Sequence, residues 1–158
     1  MNKTLFAIVT IILLLLTSAR YVAPSDGRVG FRAPDIELSD GSRRVDLQDM
    51  RGQYVVVTFW SSAQPASRLA NKELSVAAGA KAGVAHVAVN MDRSHGLFEQ
   101  LIEADGLSGY DQFYVAVEQQ EKVMERWRQQ RDEFTSFLIS PEGRIVKVNP
   151  TAGDIIAL

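Results

Sequence analysis

A continuous apolar run in the middle of the chain, followed at once by a proline-led helical pattern, limits the folds open to this sequence. Residues 55–60 read VVVTFW, a β-branched and aromatic run that is typical of a strand buried on both faces. Small residues interrupt the run, and Pro65 then stands where the first position of a helix would fall. The pattern predicts a buried strand that passes directly into a helix. Open α/β folds carry their functional groups at such strand-to-helix turns.

The rest of the chain predicts strands and helices in alternation. A short edge strand near residues 35–38 is followed by a turn at Asp40-Gly41, and the pair of Arg51 and Gly52 leads into the central strand. Ser94 is a plausible N-cap. The predicted strands are residues 84–91, 113–117, 135–140 and 144–148, and the predicted helices are residues 65–78, 95–105, 121–128 and 154–158.

The strand-to-helix turn carries a resemblance. Residues 59–68, FWSSAQPASR, resemble the active-site segment of thioredoxin-like thiol–disulfide oxidoreductases, and in particular the exported branch and its AhpC/TSA-type, peroxiredoxin-like relatives. In that family, Phe-Trp and two small residues precede Trp-Cys-Pro-Pro-Cys-Arg. Ala63 matches the second tryptophan, Gln64 the first cysteine and Ser67 the second cysteine. The positions that match the motif are Trp60, Ala63, Gln64, Pro65, Ala66, Ser67 and Arg68.

The resemblance continues through residues 33–158 and implies a fold. That fold is a thioredoxin-like three-layer α/β sandwich, in which helices flank a mixed central sheet. An extra β-hairpin at the N-terminal end of the domain completes it, and we expect this hairpin to lengthen the sheet.

The chemistry of the family requires sulfur that this chain lacks. None of the 158 residues is a cysteine. Thiol–disulfide exchange needs a thiolate that attacks a disulfide, and neither Gln64 nor Ser67 can supply one. We therefore expect no catalytic residue, no cofactor and no thiol-ligated metal site.

A second departure from the family falls at Phe134. The family places a cis-proline just before the strand that matches residues 135–140, and Phe134 occupies that position here. A cis bond before a residue other than proline costs about 2.5–4 kcal/mol, so we expect a trans bond. The ring is predicted either to fill part of the family's substrate groove or to be a core residue.

Other chemistries receive little support from the sequence. A hydrolase built from Ser62 or Ser67 with His86 or His95 would need a base and an orienting group within reach, and the spacing shows no nucleophile elbow. Two histidines on different elements also lack the spacing of a metal site, so we expect no metal.

Charge also limits the partners. The formal net charge is −2, which gives no nucleic-acid footprint. The basic run at residues 126–131, RWRQQR, is interpreted as a solvated helix face with Trp127 turned inward. The alternative is a patch that binds an anion or a partner.

The N-terminus predicts export. Lys3 precedes the apolar run of residues 5–16, LFAIVTIILLLL, and small residues follow at 17–19. We interpret residues 1–19 as a cleaved signal peptide or as an uncleaved anchor, the only expected contact with a membrane. Residues 20–32 are predicted to be a linker and 33–158 the thioredoxin-like domain, periplasmic or anchored facing the periplasm.

These observations lead to a functional hypothesis. The chain is interpreted as a non-catalytic binding or accessory module of the cell envelope, with a protein or peptide partner. The alternative is a thiol–disulfide oxidoreductase or antioxidant protein that acts only with a cysteine-bearing partner. A decayed paralogue without a role is a third interpretation.

Overall fold

Five strands form the central sheet, in the order β5–β4–β3–β6–β7, and a separate pair, β1–β2, precedes them. The computed structural model describes residues 25–40, 43–107 and 109–158, so residues 1–19 and the predicted turn residue Gly41 lie outside it. The strands are β1 (Glu37–Asp40), β2 (Arg43–Asp46), β3 (Tyr54–Trp60), β4 (Val84–Asn90), β5 (Gln112–Tyr114), β6 (Ser136–Ile139) and β7 (Ile145–Val148). The helices are α1 (Pro65–Gly79), α2 (His95–Ala104), α3 (Val117–Trp127) and α4 (Ala152–Ile156).

The central strand β3 has the double burial that its sequence predicts. Every residue from Val55 to Trp60 is at most 2% exposed. Strand β3 is parallel to β4 and antiparallel to β6, so the sheet is mixed. Val57 and Phe59 enter the core on one face, whereas Val56 packs with Leu74 of α1 on the other.

Helices cover both faces of the sheet and produce three layers. Helices α1 and α4 contribute Leu74 and Ile155 to one face, and Phe98 of α2 packs against Trp60 on that same face. Met124 and Trp127 of α3 pack on the opposite face with Phe59. The β3–α1–β4 unit joins parallel strands through a helix, as such sheets require. The structure thus confirms the predicted α/β sandwich with a mixed central sheet.

The N-terminal hairpin is present, but the expectation that it lengthens the sheet is wrong. Strands β1 and β2 pair antiparallel with each other and form a two-stranded sheet of their own among the described residues. Ile36 and Leu38 are at most 4% exposed and belong to the core cluster that contains Trp127. The hairpin is therefore attached by its apolar side chains and not by a ladder of hydrogen bonds.

Two helices begin earlier than predicted. Helix α3 begins at Val117, four residues before the predicted start, and the predicted extended segment ends at Tyr114. The buried amide of Gln120 donates to the carbonyl oxygens of Val115 (3.0 Å) and Asp92 (2.9 Å), which ties the first turn of the helix in place. Helix α4 begins at Ala152, before the predicted start at Asp154. Asp154 instead completes a capping box with Thr151.

The described part of the predicted linker contacts the edge of the sheet. The amide of Gly30 donates to Ile145 (2.8 Å), and the amide of Ile145 donates to Phe31 (3.0 Å). Arg32 forms an isolated bridge with Arg144. Residues 30–32 thus run beside β7 and cover part of its outer edge. Within the described ranges, the model contains no helix with the length and apolarity to span a bilayer.

Candidate functional site

The turn between β3 and α1 is closed by its own backbone and by Ser67. The amide of Gln64 donates to the carbonyl of Ser61 (3.2 Å), and the Ser67 hydroxyl donates to the carbonyl of Gln64 (2.9 Å). The same hydroxyl accepts from the amide of Ser61 at 3.3 Å. Pro65 starts the helix because its fixed backbone angle suits a first helical position. Ser67, which the resemblance aligns with the second cysteine, is therefore a buried structural side chain.

Gln64 is the N-terminal flanking residue of α1, yet its side chain does not cap the helix. Its amide nitrogen donates to the carbonyl of Arg131 at 2.6 Å, and its amide oxygen accepts from the amide of Phe134 at 2.8 Å. Both ends of the side chain thus bind the backbone of the loop before β6. Gln64, which the resemblance aligns with the first cysteine, thus joins the helix start to the loop that contains Phe134.

That loop has a second internal tie, through Gln129. The buried side chain of Gln129 donates to the Thr135 hydroxyl (2.8 Å) and to the carbonyl of Trp127 (3.1 Å), and its oxygen accepts from the amide of Thr135 (2.8 Å). Arg128 precedes it with a left-handed backbone (φ 53°) at the end of α3. Two glutamine side chains therefore fix the conformation of residues 129–135.

Phe134 packs against the core and also lines a cleft. Its peptide bond is trans, as are all others in the described residues. The ring is half-buried and packs against the core cluster of Phe59 and Trp127. The same residue also lines a cleft beside the start of α1.

This cleft, called the motif cleft below, separates the start of α1 from the loop before β6. Its volume is about 480 Å³, within the range of small-ligand sites. Most of its wall is apolar or small, and its charged members are both carboxylates. The cleft is lined by Ala63, Gln64, Pro65, Ala66, Ser67, Ala70, Asp132, Glu133, Phe134, Ser136, Asn149 and Pro150.

A buried carboxylate supports the turn from behind. Asp92 accepts hydrogen bonds from the amide of Ser62 (3.0 Å), from the Ser62 hydroxyl (2.8 Å) and from the side-chain amide of Asn90 (2.9 Å). The residue is only 7% exposed. The end of β4 thus fixes the end of β3, because the loops that follow parallel strands meet at the same edge of the sheet.

Arg68 turns away from the cleft and forms a bidentate ion pair. Its guanidinium nitrogens lie 2.7 and 2.8 Å from the two carboxylate oxygens of Asp105, at the end of α2. The hydrogen bond with Arg68 lowers the pKa of Asp105, and it raises that of Arg68. Arg68 therefore links α1 to α2. Trp60 is also remote from solvent, since it is fully buried against Phe98.

The histidines make no contact with the serines of the turn. The Nδ1 atom of His86 lies 2.6 Å from a carboxylate oxygen of Asp111, and its Nε2 lies 3.0 Å from the Thr58 hydroxyl. Thr58 is fully buried in the central strand, so its hydroxyl is closed to a substrate. Burial raises the pKa of Asp111, but the hydrogen bonds led by that of His86 bring it below its ordinary value. His95 lies on the surface against Tyr114.

The basic run at residues 126–131 divides between core and surface. Trp127 is fully buried, in agreement with the prediction that it turns inward. Arg128 pairs with Asp26, in the segment predicted to be a linker, and this contact lowers the pKa of Asp26. Arg126 lies on the surface beside a second cleft, along with Lys122. A group of three His, Asp or Glu side chains that could hold a metal ion is absent from the described part of the chain.

Sequence reasoning missed several residues that organise this region. Asp92, Gln129 and the pair Asp132–Glu133 were not singled out as contributors to the site. Asp92 directly follows a predicted strand, and that position alone would have been a signal that it meets the neighbouring turn. The two contacts of Gln64 had no sequence signal, because their partners are backbone groups 67 and 70 residues away.

Comparisons with known proteins agree with the geometry. Residues 29–148 match the model of the AhpC/TSA family. Among solved structures, the thioredoxin domain of thiol-disulfide oxidoreductase BVU-2223 from Bacteroides vulgatus shares 26% identity with a TM-score of 0.72, over 82% of this chain and 94% of that one. A thiol:disulfide interchange protein from Bacteroides sp. shares 26% identity with a TM-score of 0.70, over 82% and 86% of the two chains.

A third structure shows the fold alone. The thioredoxin-like protein from Parabacteroides distasonis shares 22% identity with a TM-score of 0.72, over 84% of this chain and 95% of that one. No curated protein sequence matches the chain. The family match and the thioredoxin-like architecture point to one conclusion. The chain belongs to the AhpC/TSA family and has the thioredoxin-like fold, and none of its 158 residues is a cysteine.

Proposed function

We propose that this chain is an exported, non-catalytic binding module of the cell envelope that holds a protein or peptide segment in the motif cleft. The observation that carries the proposal is the double hydrogen bond of Gln64 to the backbone of Arg131 and Phe134. Thiol chemistry would need a free nucleophile at this place, but the side chain of Gln64 forms hydrogen bonds at both ends. Gln64 therefore supports the wall of the motif cleft.

The surface of the cleft favours contact with a polypeptide. Ala63, Pro65 and Ala66 are exposed and small, so they leave room for the side chains of another chain. Phe134 supplies an aromatic wall opposite them. Burial of apolar surface contributes about 25 cal/mol per Å², which makes such a cleft a natural seat for an apolar side chain.

The apolar run of residues 5–16 supports export, since its length and its flanks are those of a signal peptide. The absence of cysteine supports a role without electron transfer, because a thiolate is the obligatory nucleophile of disulfide exchange.

Two measurements test the proposal on the same protein. In insulin reduction by dithiothreitol, we expect no rate above background. Turnover above background would refute a non-catalytic role and favour an oxidoreductase. Selection from a displayed library of random, cysteine-free decapeptides should yield peptides that bind the wild type.

A matched pair of variants locates the binding. Ala66→Trp fills the cleft from an exposed helical position and should abolish binding of the selected peptides. Leu69→Trp places the same ring on the same helix at a position that is 57% exposed and does not line the cleft, so binding should persist. Equal binding by both variants would place the peptide elsewhere and contradict the proposal.

A further inference from the structure

The charges of the motif cleft have one sign. Asp132 and Glu133 are its charged lining residues, and both are exposed. The nearest arginine of α1, Arg68, points away and is neutralised by Asp105. Arg131 contributes its carbonyl to Gln64 and is not among the residues that line the cleft. A cationic group that enters the cleft therefore meets carboxylates and no competing side-chain cation from its walls.

The two carboxylates stand on a loop that is already ordered. Gln64 binds the residues on either side of them, at Arg131 and at Phe134. Gln129 fixes the same loop at Thr135. Because the loop is already ordered, binding of a partner loses little conformational entropy in the loop. This raises the affinity for a given set of contacts.

The opposite wall offers hydrogen-bond donors. Within the described part of the chain, the backbone N–H groups of Ala66 and Ser67 have no acceptor, as expected for the first turn of a helix. The positive end of the helix dipole amounts to about half a charge, less than the two full charges of Asp132 and Glu133. An extended peptide suits both walls, because a backbone carbonyl can accept from the helix start at the exposed Ala66 while a lysine or arginine side chain reaches the carboxylates.

We propose that the occupant of the motif cleft is an extended polypeptide segment that carries lysine or arginine and needs no cysteine. This inference rests on the proposed function and adds the chemistry of the partner to it. Charge selects the segment, and the apolar wall around Phe134 and Ala66 receives a neighbouring side chain.

The test uses the displayed library of random, cysteine-free decapeptides on two proteins, the wild type and Asp132→Asn/Glu133→Gln. Lysine and arginine should be enriched in peptides selected on the wild type and not in those selected on the variant. A synthetic lysine-containing winner should bind the variant about 3- to 10-fold more weakly, as for two exposed ion pairs. Replacement of its lysine by norleucine should weaken binding to the wild type by a similar factor and leave binding to the variant unchanged.

A control variant separates local from global charge. Glu121→Gln/Glu125→Gln makes the same change in net charge on an exposed stretch of α3 that does not line the motif cleft, so the winner should keep its wild-type affinity. The preference for the lysine-containing peptide over its norleucine counterpart should also fall in high salt, since the Debye length shrinks to about 3 Å at 1 M.

The outcomes distinguish the two proposals. If the selected peptides are not enriched in lysine or arginine but still fail to bind Ala66→Trp, the charge inference is overturned and the proposed binding function stands. Equal loss of affinity in the Glu121/Glu125 control would also overturn it. Failure of the library to yield any binder would overturn the proposed function itself.

Discussion

The tie between Gln64 and the loop before β6 makes a quantitative prediction for the variant Gln64→Ala. The substitution removes both hydrogen bonds, at 2.6 Å to the Arg131 carbonyl and at 2.8 Å to the Phe134 amide. It removes no helix cap, because the side chain of Gln64 makes no capping bond. Its effect on stability is therefore that of the tie alone.

The expected loss of unfolding free energy follows from the surroundings of the two bonds. The bond to Arg131 lies on the surface, where water can replace it, so its net contribution is about 0.5 kcal/mol. The Phe134 amide is partly buried, and loss of its acceptor costs about 1–1.5 kcal/mol. The sum, about 1.5–2 kcal/mol, corresponds to a decrease in Tm of about 4–8 °C for a domain of this size.

Urea unfolding followed by tryptophan fluorescence measures this change, because Trp60 and Trp127 are both fully buried in the native state. Amide hydrogen exchange at Phe134 should accelerate by a larger factor than exchange in β3. Gln64→Glu is the informative companion: its carboxylate keeps an acceptor for the Phe134 amide but cannot donate to Arg131, so the Phe134 amide should exchange more slowly than in the alanine variant. Wild-type stability and unchanged Phe134 protection in Gln64→Ala would refute the reasoning.

Three further predictions concern carboxylates. Asp92→Ala leaves the Ser62 amide without its acceptor, so we expect a loss of about 3 kcal/mol in urea unfolding; a loss below 1 kcal/mol would contradict the support that the carboxylate gives to the turn. Asp111 has a lowered pKa in the folded state, so its contribution to the free energy of unfolding is present above its ordinary pKa of 3.8 and is lost as pH falls through the folded value. The difference in unfolding free energy between the wild type and Asp111→Asn should therefore shrink as pH falls, and a difference independent of pH would contradict this. Hydrogen bonds from Lys147, the largest cause, and from Thr151 lower the pKa of Asp154 to about 2, so carboxyl NMR titration should show this value and a rise in Lys147→Met; no rise would exclude the lysine as the main cause.

The elements of the fold were predictable where one local pattern decided them. The run from Val55 to Trp60 has no polar residue that could face water on either side except Thr58, and the structure buries all of it. Ser94 was predicted as an N-cap, and its hydroxyl does accept from the Leu97 amide at 3.2 Å. Such features depend on neighbours within four residues, which the sequence displays directly.

Features that depend on distant partners were not predictable. The alternation of Ile36 and Leu38 predicts a strand, but it does not say whether the strand joins the main sheet or packs on it. The early start of α3 depends on the bonds of Gln120 to backbone groups outside the helix, one of them at Asp92. The sequence does not show that the ring of Phe134 both packs against the core and lines the motif cleft, because these contacts involve residues far away in the chain.

At residue 64, attachment of the loop and thiol chemistry exclude each other. A cysteine side chain has one sulfur in place of an amide and is too short to repeat two hydrogen bonds that Gln64 makes to groups three residues apart. Restoring cysteines in Gln64→Cys/Ser67→Cys would place a thiol at a helix N-terminus, where its pKa is lowered, but it would also release the loop that presents Asp132 and Glu133. The double variant should therefore form a disulfide under mild oxidation and, at the same time, lose affinity for the peptides that the wild type binds. A variant that gained the disulfide and kept that affinity would show that the glutamine is not what holds the cleft in its binding form.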